Sequence, residues 1–309
     1  MMRIDGLKGR SLRSMSVAVL LAFAATAMPV QAREGVEVGN KSMLSRLVPA
    51  EQLEAAATQQ YAQMAAEAQK QNALLPDNHP QVVRVRAIAK RIIPNSLEWN
   101  ARASQWHWQV IVLNSKELNA FCMPGGKIAF YTGILDQLQL TDDEVAMVMG
   151  HEIAHALREH ARERMGTQTA TRLGAGLISS LLGLGNVGDS LLNMGGQLLT
   201  LKFSRGDESE ADLIGMELAA RSGYDPRAGI SLWQKMSAAS KGAPPQWMST
   251  HPASATRIQD IQANLPKVMP LYERAPKPTQ RFDAPRKTGQ AYLMTEPLVY
   301  WGAGQQAYR

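Results

Sequence analysis

The chain has one cysteine, Cys122, among its 309 residues. An internal disulfide framework is therefore excluded. It also lacks a strong charge of one sign. The net charge is +6, but Arg3, Lys8, Arg10, Arg13 and Asp5 lie in the first 32 residues, and the remainder carries only +3. That is too weak to argue for nucleic acid as a partner. Long apolar runs are missing too. The stretch Val17 to Met28 is too short to span a membrane, and so are the apolar pieces between residues 173 and 201. With 45% hydrophobic residues the chain can still bury a sizeable core.

The N-terminus reads as a secretory signal over residues 1–32. Four basic residues precede the apolar run, and Val30-Gln31-Ala32 supplies small residues before a cut. An uncleaved anchor is the rival reading. No cysteine lies near the cut, so a lipid anchor there is excluded. The mature chain is expected to begin at Arg33 and to reside in the periplasm.

Residues 33–48 show no clear period and are expected to be mobile. A helix rich in Ala, Gln and Glu follows from Pro49 to about Leu75. His79-Pro80 starts a second helix with an apolar face of Val82, Val85, Ile88 and Ile92. His79 is read as its cap, not as a metal ligand. Trp106 to Leu113 reads as a strand, with His107 on the sheet. Lys127 to Tyr131 is a second strand, entered through the turn Pro124-Gly125-Gly126. Ile128, Ala129, Phe130 and Tyr131 are a candidate edge for binding substrate as an added strand. An ordinary interior strand is the equal alternative. Cys122 reads as a buried small residue.

His151-Glu152-Ile153-Ala154-His155 has the pattern H-E-x-x-H. On a helix the two histidines stand one turn apart on one face and can hold one zinc ion. Glu152 can then point toward water in an open coordination position. Thr141 and Glu144 form a capping box at the start of this helix, which is expected to run to about Met165. His160 lies nine residues beyond His151. In a continuous helix that turns it about 180° away, so it reads as a solvated surface residue. The continuation H-E-x-x-H-x-x-G-x-x-H fails, because Arg158 and Ala161 occupy its last two fixed positions.

A further ligand must come from elsewhere. Residues 173–201 are apolar and glycine-rich, and read as a mobile helical hairpin or as core helices with flexible joints. A helix beginning at Ser204 then carries Glu208 and Asp212 on one face. Glu208 can supply a carboxylate, and Asp212 can accept the N–H of a ligating histidine. Glu210 points about 200° away from Glu208 and is expected to play no part in metal binding.

H-E-x-x-H followed by S-R-x-x-E-x-E-A-D resembles the HtpX-like zinc metallopeptidases, relatives of the CAAX prenyl protease. Asn119 to Gly126 and Thr250-His251-Pro252 through Arg257-Ile258 match further family blocks. The resemblance implies one zinc per chain on His151, His155 and Glu208, with Glu152 as catalytic base and Asp212 behind the ligands. It implies an α+β fold of the gluzincin type, mostly helical with a small sheet. The chain is similar to the exported branch that includes BepA and LoiP. That branch implies protein or peptide substrates, outer-membrane proteins among them, and peripheral association with a membrane. It also implies that His251 can take the fourth position as a switch. Two other roles stay open for His251, helix capping and hydrogen bonding to a reaction intermediate.

The expected organisation is a signal (1–32), an N-terminal arm and helix (33–75), a zinc metallopeptidase domain (76–266) and a proline-rich C-terminal arm (267–309). The helix after His251 is expected to end at Pro266. The expected activity is endopeptidase quality control of misfolded envelope proteins. The rival is a latent protease acting mainly as a chaperone-like binder.

Overall fold

The computed structural model describes residues 33–173, 198–199, 201–240, 246–251 and 256–282. The leader, nearly all of the 173–201 stretch, the loop around Pro244 and Pro245, and the arm beyond 282 lie outside the described residues.

The elements in order are α1 (Ala50–Lys70), α2 (Pro80–Ile92), β1 (Gln109–Leu113), β2 (Ala120–Met123), β3 (Lys127–Tyr131), α3 (Thr132–Asp136), α4 (Asp142–Leu157), α5 (His160–Leu173), α6 (Arg205–Arg221), α7 (Ala228–Ala239), α8 (Gln246–Thr250) and α9 (Arg257–Arg274). The architecture is mostly helical with one small sheet, as expected. Helix α4 is the centre, with all but Asp143 of its residues buried. Its capping box is present: Thr141 Oγ1 accepts from Glu144 N, and Glu144 Oε2 accepts from Thr141 N. His79 caps α2 by accepting from Gln81 N at 3.2 Å.

The sheet has the order β1-β3-β2. Strand β3 pairs parallel with β1 and antiparallel with β2, so Ile128, Ala129, Phe130 and Tyr131 sit in its middle. They are not an edge, because neighbours on both sides use their backbone groups. The outer side of β1 is partly taken by residues 73–75, where Leu75 N donates to Val112 O. Strand β1 also starts three residues later than the aromatic pattern suggests. Trp106 and Trp108 turn into the core instead, with Trp108 lying against Gly126. Gly125 and Gly126 both have positive φ, 81° and 76°, so this turn needs glycine.

Two further expectations change. Residues 33–48 are anchored: Val36 N donates to Glu217 Oε2 at 2.8 Å, and Gly39 O accepts from Arg158. Helix α9 does not end at Pro266; it continues through Pro266 and Pro270 to Arg274. Each proline leaves one carbonyl without its helical partner, four residues earlier. Those carbonyls belong to Gln262 and Pro266, both exposed, so water can satisfy them. Ile261, Val268 and Leu271 hold the other face in the core.

Candidate metal centre

Helices α4 and α6 cross at Gly150 and Gly215, and this contact brings α6 beside the two histidines. Ser204 caps α6 in a capping box with Asp207. Glu208 and Asp212, one turn apart, then face His151. Both are buried. His251, following the short α8, enters from the other side and is buried as well.

His151, His155, Glu208 and His251 each direct one ligand atom into a common space, all within 4.8 Å of one another. His151 Nε2 is 3.1 Å from His155 Nε2 and 3.2 Å from His251 Nδ1. Glu208 Oε1 is 3.0 Å from His251 Nδ1 and 3.5 Å from His155 Nε2. Ligand bonds of about 2.1 Å in a tetrahedron give edges of about 3.4 Å. The spacing and the nitrogen and oxygen donor set therefore fit one zinc ion.

Asp212 Oδ1 lies 3.0 Å from His151 Nδ1. A carboxylate there requires the proton on Nδ1 and leaves Nε2 bare toward the cluster. Arg257, the first residue of α9, donates to both acids: Nε to Asp212 Oδ2 at 2.6 Å and Nη1 to Glu208 Oε2 at 2.5 Å. Burial disfavours both charged carboxylates. The His155 and His251 rings beside Oε1 nevertheless hold Glu208 well below the usual carboxylate range. The Arg257 charge and the bond from His151 likewise lower the Asp212 carboxyl against its burial.

Glu152 is buried beside the cluster. Its Oε1 accepts from the indole Nε1 of Trp247 at 2.6 Å and lies 3.6 Å from His251 Nε2. Trp247 stacks on His251, with ring centroids 4.8 Å apart and planes at 27°. Strand β2 borders the same cleft. Phe121, Cys122 and Met123 line it with Glu152, His155, Leu198, Leu201 and Phe203.

The sequence profile of Peptidase family M48 matches residues 79–265, more than half of the chain. The chain belongs to that family. Members of M48 use zinc, in keeping with the donor set. The mitochondrial metalloendopeptidase OMA1 of Schizosaccharomyces pombe is 36% identical over 229 residues, which are 73% of this chain and 61% of that protein. The metalloprotease LoiP of Escherichia coli is 32% identical over 186 residues, covering 56% of this chain and 69% of its own length. The β-barrel assembly-enhancing protease of Yersinia pestis is 29% identical over 186 residues, covering 57% and 38%. The chain thus spans less than two thirds of the OMA1 protein. Among the described residues no helix is long and apolar enough to cross a membrane.

The M48 site also holds residues that the sequence pattern places elsewhere or leaves unmarked. His160 is buried, not solvated. The helix breaks after Leu157, and Glu159 takes a positive φ of 62°, so the continuous rotation that sent His160 outward does not apply. His160 Nδ1 lies 2.9 Å from His155 Nδ1, and its Nε2 lies 2.8 Å from Glu210 Oε2. Glu210 also pairs with Arg158 at 2.8 Å. Hydrogen bonds from His160 and Arg158 outweigh its burial and keep its carboxyl below the usual range. Trp247 and Arg257 carried no chemical pattern of their own. Arg257 stood only inside a matched block.

Proposed function

We propose that this chain is a zinc-dependent endopeptidase of the bacterial envelope that hydrolyses misfolded or unassembled envelope proteins and rests in a closed state. The carrying observation is a buried carboxylate, Glu152, set beside a cluster of two histidines and a glutamate from crossing helices. His151, His155 and Glu208 are the metal ligands in this reading. Held by these residues, zinc would supply Lewis-acid chemistry to the peptide carbonyl and to water. Glu152 takes the proton from the attacking water and passes it to the leaving amine. Asp212, with Arg257 behind it, keeps the His151 lone pair aimed at the metal.

The edge suited to an extended substrate is β2, because it borders the cleft while β3 is paired on both sides. Pairing there would use backbone groups of Ala120 to Met123 and tolerate many sequences. His251 supports the closed state, since its Nδ1 stands with the three ligand atoms. Substrate can reach the metal only when His251 withdraws and Trp247 releases Glu152. The leader-like residues 1–32 support export. The name of the Yersinia relative, a β-barrel assembly-enhancing protease, supports substrates connected with β-barrel assembly. A second reading, chaperone-like binding with a shut site, is favoured by the Trp247 bond to Glu152.

The test is digestion of an unfolded protein such as casein by the full chain, with chelator, with zinc restored, and with Glu152→Gln. Cleavage that chelator stops and zinc restores, and that Glu152→Gln abolishes at unchanged zinc content, supports the protease. Cleavage indifferent to both would sink it. Suppressed aggregation without cleavage, even after His251→Ala, would favour the binder.

A further inference from the structure

His155 offers two ring nitrogens, and only the bare one can bind a metal. Which one is bare depends on its neighbours. His155 Nδ1 faces His160 Nδ1 at 2.9 Å, so one of the two must donate and the other accept. The direction is decided further out. His160 Nε2 faces the Glu210 carboxylate at 2.8 Å, and a carboxylate only accepts. His160 Nε2 therefore carries a proton. A neutral His160 then has a bare Nδ1, which accepts from His155 Nδ1–H. That leaves His155 Nε2 bare, and Nε2 is the atom in the metal cluster. Glu210 is itself held by Arg158, which is only a donor and is tied to Gly39 O.

We infer that Arg158, Glu210 and His160 form a hydrogen-bonded relay that sets the proton of His155 on Nδ1 and so positions its Nε2 for zinc. These are positioning residues. They lie on the α4–α5 break and on α6, one layer behind the ligand. The arrangement parallels Asp212 behind His151, but with an imidazole inserted between acid and ligand. It reverses the expectation that Glu210 plays no part. It also gives the helix break a purpose, since only a turn at Glu159 brings His160 back against His155. The inference rests on His155 being a zinc ligand.

Glu210→Gln is the informative change because it is nearly isosteric. Arg158 cannot accept, so the glutamine oxygen must stay on Arg158 and the amide NH2 must face His160. That reverses the relay. His160 would donate to His155 Nδ1, and the His155 proton would move to Nε2. Outer partners of ligating histidines typically contribute tenfold to a hundredfold in metal affinity. Zinc affinity of the full chain, measured by competition with a chromogenic chelator, should fall by about that factor in Glu210→Gln. Glu210→Asp keeps the carboxylate and should recover part of the loss. Equal affinity in Glu210→Gln and the parent overturns the relay. So does an equal loss in both variants, which would mark a packing effect. If Glu210→Gln does not fold, nitrogen-15 NMR of the zinc-loaded parent decides. His160 protonated on Nε2 alone supports the relay, and a proton on Nδ1 overturns it. A parent chain that binds no zinc removes the ligand assignment, and the relay with it.

Discussion

Gly150 on α4 and Gly215 on α6 meet with no side chain between them. A Cβ on Gly150 would lie 2.5 Å from the Gly215 carbonyl oxygen, and one on Gly215 would lie 2.6 Å from the His151 nitrogen. The helices can touch backbone to backbone only because both residues are glycine. That contact sets how far Glu208 and Asp212 stand from the histidines.

Gly215→Ala should therefore damage the metal site without touching a ligand. Forcing a methyl group into such a contact costs about 1–3 kcal/mol. The expected result is a lower unfolding temperature together with weaker zinc binding, read by thermal melts and chelator competition. Wild-type values for both would mean that the helices can slide apart freely.

His251→Ala should raise basal proteolysis, self-cleavage included, because three protein ligands keep the metal while the fourth position opens. Zinc content and cleavage rate are measured side by side. A rate that falls at constant zinc would make His251 a helper of the reaction, and an unchanged rate would make it a cap. Either would refute the closed state.

Trp247→Phe keeps a ring against His251 but removes the donor that holds Glu152. Cleavage of an unfolded substrate should rise several-fold over the parent at unchanged zinc content. Lower activity would show that the indole orients Glu152 for its task instead of withholding it.

The sequence made the centre of the molecule legible because its signals are local. The capping box at Thr141, the two histidines one turn apart and the Glu208 and Asp212 pair all follow from helix geometry within a single element. The failures share another cause. His160 was sent outward because no glycine or asparagine marks the break, and Glu159 adopts a left-handed conformation that such a residue rarely takes. The prolines of α9 read as stops, whereas the residues whose carbonyls they free, Gln262 and Pro266, are exposed. Edge and interior stay equal readings for strand β3 in the sequence, because the partner order β1-β3-β2 is a tertiary fact. Trp247 and Arg257 act across 95 and 49 residues of chain on Glu152 and Glu208, a distance no local pattern spans.

Arg257 ties the metal centre to the last described helix. The cation between Glu208 and Asp212 is encoded after every ligand, His251 included. Without that arginine, Glu208 and Asp212 would lose the cation that joins them, and removing one partner from a buried ion pair typically costs about 3–5 kcal/mol. The centre is therefore complete only once the start of α9 has docked against α6. Arg257→Met in the full chain isolates this effect from the loss of α9 packing. Zinc affinity at least tenfold below the parent is the expected result, and parent-like affinity would show that the ligands assemble without waiting for the last helix.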